Sequence, residues 1–230
     1  MKKCVVLTGA GISADSGLKT FRDAGGLWEG HRVEEVATPE AFARNPQLVL
    51  DFYNERRRQA AEALPNAAHQ ALAKLESYYR VHIITQNVDD LHERAGSSHV
   101  LHLHGELNKV RSSANADDVT EFHGNQTLDD KDKNGHPMRP FIVWFGEDVP
   151  LFPQAVETVR DADVVMVVGT SLKVYPAASL LAYAPPQAEV FLVDPHPSVV
   201  PAYVEVIAKK AKDGVPPLVD YLIGQADKAV

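Results

Sequence analysis

Cys4-Val5-Val6-Leu7-Thr8 is an unbroken, largely β-branched apolar run, and Gly9-Ala10-Gly11-Ile12-Ser13-Ala14 follows it with no spacer. A run of strand length without polar alternation reads as a strand buried on both faces. Such strands belong to parallel sheets covered by helices on either side. The small residues then let the chain turn tightly from strand into helix. The same Gly-x-Gly-x-x-Ala pattern permits close backbone approach to a pyrophosphate at a helix N-terminus. Small residues at such a turn also serve packing alone, so both readings stand at this point.

The rest of the chain repeats the alternation. Val81-His82-Ile83-Ile84, Val100 to Leu103, Ala162 to Val168, Val190 to Val193 and Val204 to Ala208 read as further strands. Pro46 to Leu64 and Asn66 to Tyr79 read as helices, the second with Ala68, Leu72 and Leu75 on one apolar stripe. Pro176 to Ala184 and Pro217 to Ile223 read as helical too. Strands alternating with helices predict an α/β fold on a doubly wound parallel sheet. Two stretches break the rhythm. Leu18 to Pro39 is irregular, carries Gly25-Gly26, and suits a lid. Ser112 to Pro140 is polar and rich in Asp, Asn and Gly, an excursion that forms either a small module or a mobile loop.

Chemistry-bearing residues gather just past strand ends. Thr85-Gln86-Asn87-Val88-Asp89 follows one strand, and His104-Gly105 follows another. In an open α/β sheet, ligands bind outside the carboxyl ends of the strands. A neutral imidazole at His104 can act as a general base near pH 7, although most of the ten histidines are expected to be structural. His69, His92 and His102 are read that way. Gly169-Thr170-Ser171 ends the most apolar strand and offers a second phosphate- or ribose-binding turn. Asp194 ends the next, either as acceptor for a ribose hydroxyl or as a turn former before Pro195. Tyr53 and Arg56 share a helix face at i, i+3, on their own no more than a solvated pair. Phe141 to Glu147 reads as ordinary core or as a strand with a free edge that an extended peptide could join.

Composition removes several classes. The net charge of −8 argues against nucleic-acid binding, because affinity for a phosphate backbone comes from clustered Lys and Arg. No segment approaches the ~20 consecutive apolar residues of a membrane span. Met1-Lys2-Lys3 runs straight into strand-like sequence, so no signal peptide is expected and a cytoplasmic location is. Cys4 is the only cysteine, which excludes an internal disulfide and any multi-cysteine metal site.

Taken in order, Gly9 to Gly17 with Phe21-Arg22-Asp23, Thr85 to Asp89, His104-Gly105, Val143 to Glu147 and Gly169 to Ser171 resemble the motifs of the sirtuins, the NAD-dependent protein lysine deacylases. The resemblance covers nearly the whole chain and is nearest to the bacterial CobB-type, class III branch. It implies a Rossmann-type large domain from residues 1–20, 80–110 and 140–230, with a small or lid module from about 21–79 and 111–139 in a single catalytic unit. It implies that Gly9, Ala10, Gly11, Ser13, Phe21 and Arg22 contact NAD, with Gly169, Thr170, Ser171, Asp194 and Ala211 on the adenosine side. Gln86, Asn87 and Asp89 would line the nicotinamide and ribose pocket, with Asn87, Asp89 and His104 as catalytic residues. Val143, Trp144, Phe145 and Gly146 would hold the substrate peptide as an added strand.

In the mechanism implied by the resemblance, NAD is consumed as a co-substrate. The acyl-lysine oxygen attacks the ribose as nicotinamide leaves, and His104 helps deprotonate a ribose hydroxyl. The products are free lysine and O-acyl-ADP-ribose. In class III members a Tyr-x-x-Arg pair lies at the bottom of the acyl pocket. Tyr53 and Arg56 would then bind the carboxylate of a succinyl-lysine, and Ala37 would leave room for the chain. The expected partners are acylated lysines of proteins, with no nucleic acid and no membrane, and a monomer is expected.

The chain also departs from the pattern. Most sirtuins hold a structural zinc with four cysteines between positions matching Arg111 and Arg139, and here Ser112 and Ser113 stand where the first pair would begin. No zinc is expected. Either local packing has replaced it, or the module is shorter and more mobile. His123, His136 and the nearby aspartates read as a solvated loop rather than a metal site. Asp194 stands where the family commonly has Asn. Two other functions fit the same fold: a regulator that binds NAD or ADP-ribose without turnover, and a mono-ADP-ribosyltransferase. The intact Asn87, Asp89 and His104 favour the deacylase.

Overall fold

The computed structural model describes residues 1–19, 27–28, 30–170, 172, 175–197 and 199–228, with the side chains of 27 and 28 excepted. Its main sheet has six parallel strands in the spatial order Val204–Ile207, Glu189–Val193, Val164–Val168, Lys3–Thr8, Arg80–Thr85 and Val100–His102. The chain builds outward from Lys3–Thr8 in one direction, then returns to add Val164–Val168 on its other side. Order therefore reverses between these two strands, and the crevice opens at their carboxyl ends.

Alternate residues of each central strand feed opposite cores. Cys4, Val6, Val81, Ile83, Met166 and Phe191 pack with Leu72 and Leu75 of the helix Ala67–Leu75, and with Val215, Leu218 and Leu222 of the helix Ala211–Asp227. Val5, Leu7, Ile84, Val165 and Leu192 face the other way, onto Val156 and Val159 of Phe152–Val159 and Leu180 of the 3-10 helix Ala177–Tyr183. Burial on both faces explains why these strands carry no polar alternation. The last helix begins well before Pro217 and runs through Pro216 and Pro217. Its buried stripe of Ala211, Gly214, Val215, Leu218, Val219 and Leu222 outweighs the lost backbone bonds.

A second core lies beside the crevice. Gly105–Ser112 pairs antiparallel with Val119–Glu121 and with Met138–Ile142. Against this small sheet pack Val33–Val36, Pro39–Arg44 and the long helix Pro46–Glu62, burying Val36, Ala41, Val49, Phe52, Tyr53, Leu107 and Trp144. The packing redraws the division expected from sequence at two places. The helix Ala67–Leu75 belongs to the main core, and Gly105–Ser112 belongs to the small sheet. Part of the region expected to be a lid, residues 20–26 and 29, lies outside the described residues.

The polar excursion is ordered by hydrogen bonds. Ser112 Oγ donates to Asp132 Oδ2 at 2.7 Å and accepts from the backbone of Ala114 and Asn115. Asp132 Oδ1 accepts the N–H groups of Asn134 and His136, and Oδ2 meets His136 Nδ1 at 3.0 Å. The Asp132 side chain is only 2 % exposed. A second clasp joins the excursion to the long helix: Asn54 Nδ2 donates to Gln126 O and Asn54 Oδ1 accepts from Gln126 N, both at 2.8 Å. The donor set does not suit a zinc of the thiolate kind. Cys4 is buried in the main sheet, and among the described residues no group of three or more His, Cys, Asp or Glu could hold a metal ion.

The Ser112 hydroxyl, with help from the His136 and Asn134 amides, holds the Asp132 carboxyl well below the usual range. A depressed folded value stabilises the fold above the unfolded carboxylate value of about 3.9 and stops doing so as pH falls toward the folded one. Asp132→Ala is expected to lower the melting temperature at pH 7, with a smaller gap from the parent protein at pH 3. Thermal melts at the two pH values check this, and an unchanged melt at pH 7 contradicts it.

Candidate active site

At the sheet's reversal the two strand-end turns touch backbone to backbone. Gly9 N donates to Val168 O at 3.0 Å, and Gly11 N donates to Gly169 O at 2.8 Å. A Cβ added to Gly11 would stand 2.6 Å from Gly169 Cα. Gly169 has φ +62°, and a Cβ there would lie 2.4 Å from Ile12 N. Only glycines permit this approach, so packing alone justifies them, and the approach also brings the two turns to one crevice. Ala10 at the mouth is exposed.

The loop after Arg80–Thr85 lies across that crevice. Asn87 Nδ2 donates to Gly9 O at 3.1 Å and to Ser13 Oγ at 3.3 Å, and Ser13 Oγ donates to Asp89 Oδ2 at 3.1 Å. Leu91 N donates to Asp89 Oδ1. Burial raises the Asp89 pKa, opposed by these hydrogen bonds. Gln86 Nε2 reaches Thr170 Oγ1 at 3.2 Å and ties the loop to the second turn. Gly9, Gly11, Ser13, Gln86, Asn87, Asp89, Gly169 and Thr170 are therefore one constellation.

His104 joins it from the strand end beyond. Its Nδ1 lies 3.2 Å from Gln86 O. A carbonyl only accepts, so Nδ1 carries the proton and Nε2 is the basic nitrogen of the neutral ring. Burial lowers the His104 pKa, with the Gln86 hydrogen bond acting the other way. Gly105 follows with φ +84°, and a Cβ there would sit 2.0 Å from Phe141 O. The small sheet can approach His104 only because that residue is glycine.

Behind the loop runs a buried file that sequence reading did not assign to the site. Asn87 N donates to Thr85 Oγ1 at 3.0 Å, Thr8 Oγ1 donates to Thr85 Oγ1 at 2.8 Å, and His92 Nε2 lies 3.0 Å from Thr8 Oγ1. His102 Nδ1 lies 2.9 Å from Asn87 O. Threonines at equivalent ends of two neighbouring strands, Thr8 and Thr85, were the available signal.

The remaining candidates fall nearby. Asp194 is buried just past Val193, whose carbonyl accepts Gly169 N, and Asp194 Oδ1 accepts His196 N at 2.9 Å, as a turn former would. Ala211 is buried at the start of the last helix. Phe21, Arg22 and Ser171 lie outside the described residues. In the second core, Trp144 Nε1 donates to Tyr53 Oη at 3.0 Å, and Phe145 N donates to Ala37 O. Arg56 is buried one helical turn from Tyr53. Phe141 to Glu147 differs from the expected free-edged strand. The strand stops at Ile142, Val143 N already donates to His104 O, and Trp144 to Glu147 form a turn with Gly146 at φ +89°. Arg139 fixes that turn, lying 3.5 Å over the Trp144 ring and gripping both Glu147 oxygens, while Glu147 accepts Trp144 N.

Known proteins resemble the chain over most of its length. The Sir2 family model matches residues 9–176. An "NAD-dependent protein deacylase" of Aggregatibacter actinomycetemcomitans is 60 % identical over 195 residues, covering 85 % of this chain and 94 % of the relative. One from Bacteroides thetaiotaomicron is 53 % identical and covers 97 % and 99 %. Among solved structures, a Sir2 homologue in complex with NAD is similar at TM-score 0.85 and 41 % identity, covering 99 % of this chain and 90 % of that one. A mutant Sir2 homologue with ADP-ribose is similar at 0.88 and 40 %, covering 99 % and 93 %.

His104 is expected to titrate below the ordinary histidine value of 6.5. Ring nitrogen chemical shifts followed against pH would read it, with Nδ1 protonated in the neutral form. A titration above 6.5 contradicts the burial argument.

Proposed function

Because the chain belongs to the Sir2 family, we propose that its own residues divide the work of an NAD-dependent protein lysine deacylase as follows. NAD enters as co-substrate, is cleaved to nicotinamide, and its ADP-ribose part receives the acyl group. The Gly9–Gly11 turn and the Gly169–Thr170 turn receive the dinucleotide, with the exposed Ala10 at the mouth, and the family resemblance assigns Phe21 and Arg22 to the same ligand. Asp194, Ala211 and Ser171 complete the adenosine side. Asn87 and Asp89, oriented through Ser13, hold the ribose and the nicotinamide end. The observation that carries the reading is the convergence of Asn87, Asp89 and His104 on one crevice, with the imidazole held in the tautomer that offers Nε2 as base.

The donor set fits the dinucleotide. An uncharged glycine turn suits a pyrophosphate, and buried carboxylates suit hydroxyl groups of a sugar. Burial that keeps His104 neutral prepares it to take a proton from a ribose hydroxyl near pH 7. The turn Val143, Trp144, Phe145 and Gly146 is bonded to His104 through Val143 N and takes the peptide backbone around the acyl-lysine.

Tyr53, Arg56 and Ala37 are assigned to the far end of the acyl chain. The Tyr53 hydroxyl accepts from Trp144, which leaves its own proton for an acceptor, and the neighbouring Arg56 supplies positive charge. A succinyl carboxylate supplies both complements. The reading extends to a cytoplasmic monomer, and the net charge of −8 supports protein rather than nucleic-acid partners.

His104→Tyr is expected to keep the fold and lose ~10²–10⁴ in turnover, the amount attributed to general-base catalysis. Peptide-dependent nicotinamide release is the measurement, and near-normal release removes His104 from the role. Arg56→Met is expected to lose desuccinylation roughly ten- to hundredfold, since hydrogen bonds to charged groups contribute ~1.5–3 kcal/mol. Deacetylation should change far less. Equal losses on succinylated and acetylated peptides contradict the assignment.

A further inference from the structure

Two histidines, two residues apart, grip consecutive carbonyls of one loop. His104 Nδ1 holds Gln86 O, and His102 Nδ1 holds Asn87 O at 2.9 Å. The second imidazole is more constrained, because its Nε2 lies 2.7 Å from Glu93 Oε1. Both partners of His102 are acceptors: a backbone carbonyl and a carboxylate. A neutral ring has one N–H and can satisfy only one of them, whereas the imidazolium satisfies both. We propose that His102 is a positioning residue for the deacylation, an imidazolium that fastens the Asn87 backbone to Glu93 and so fixes the Asn87 side chain in the crevice. The proposal rests on reading Asn87 and His104 as the reacting site.

The surroundings favour this charge. Glu93 stands on the short helix Leu91–Arg94, and Glu106 on the first strand of the small sheet adds a second carboxylate, itself paired with Lys109 at 2.7 Å. Asp89 acts on His102 from the loop, and His92 is the opposing cation if protonated, but burial keeps it neutral. Burial of His102 works against its charge, and the Glu93 contact overcomes this to raise its pKa. The two histidines therefore titrate in opposite directions from the ordinary value. His104 must lose its proton to serve as base, and His102 must keep its proton to hold the loop. Activity is confined between them, with the acid limb owned by His104 and the alkaline limb by His102.

Neutralising Glu93 separates these roles. In Glu93→Gln the alkaline limb of the pH profile for kcat/KM is expected to move down by about 1–3 units, the usual effect of an opposite charge, with the acid limb unmoved. His102→Gln, which can still donate once to Asn87 O, is expected to abolish that limb. It should lower kcat by up to ~10²-fold through misplacement of Asn87, with a smaller effect on KM for the peptide. An alkaline limb that stays in place in Glu93→Gln overturns the proposal. Ring nitrogen shifts of His102 in the parent protein test it apart from turnover: both nitrogens protonated at pH 7 support it, and a neutral ring overturns it even in an active enzyme. A parent protein that releases no nicotinamide with acylated peptide overturns the deacylase reading, and with it the role of His102 in that reaction, even if the ring is charged.

Discussion

Backbone lies on backbone where the Gly9–Gly11 turn meets Gly169, and the rest of the molecule is arranged around that contact. Separations of 2.4–2.6 Å from an added Cβ to main-chain atoms leave no room for a side chain. The contact brings the ends of two neighbouring strands, which belong to distant parts of the sequence, to a single crevice. It also fixes Gly9 O, the acceptor that orients Asn87. A strand order that reverses at this place makes the crevice, and the glycines set its width.

Around it the protein uses charge sparingly. Asp89 is buried and hydrogen-bonded, His104 is held neutral by burial, and His92 is held neutral by burial with its Nε2 against the Thr8 hydroxyl. The charged histidine, His102, lies between Asn87 O and the Glu93 carboxylate. Buried polar groups of this kind are costly unless satisfied, and the file from His92 Nε2 through Thr8 and Thr85 to Asn87 N supplies partners behind the loop. The same economy appears in the small module, where one carboxylate, Asp132, collects a hydroxyl and two amides.

The main sheet was legible because its signal is local. Val164 to Val168 is apolar at every position since both its faces are buried, and Gly169 marks its end. Asn87, Asp89 and His104 were legible as strand-end residues. Other features depend on contacts that no spacing records. Nothing in Phe141 to Glu147 announces that Arg139 and Glu147 would fold Trp144 into a turn instead of a free edge. Ser112 and Asp132 are twenty residues apart, and their bond at 2.7 Å is set by strand pairing rather than by local preference. His102 looked like a core histidine until its two acceptors, Asn87 O and Glu93, came from opposite sides.

The central claim is that one crevice brings a cleavable dinucleotide and an acylated lysine together beside a neutral imidazole. The most direct measurement incubates the protein with NAD and a succinylated or acetylated peptide and follows free nicotinamide and peptide mass together. Nicotinamide release that requires the peptide, matched by loss of the acyl mass from it, is the expected result. Release indifferent to the peptide, or a gain of ADP-ribose mass on protein with the acyl group intact, would contradict it.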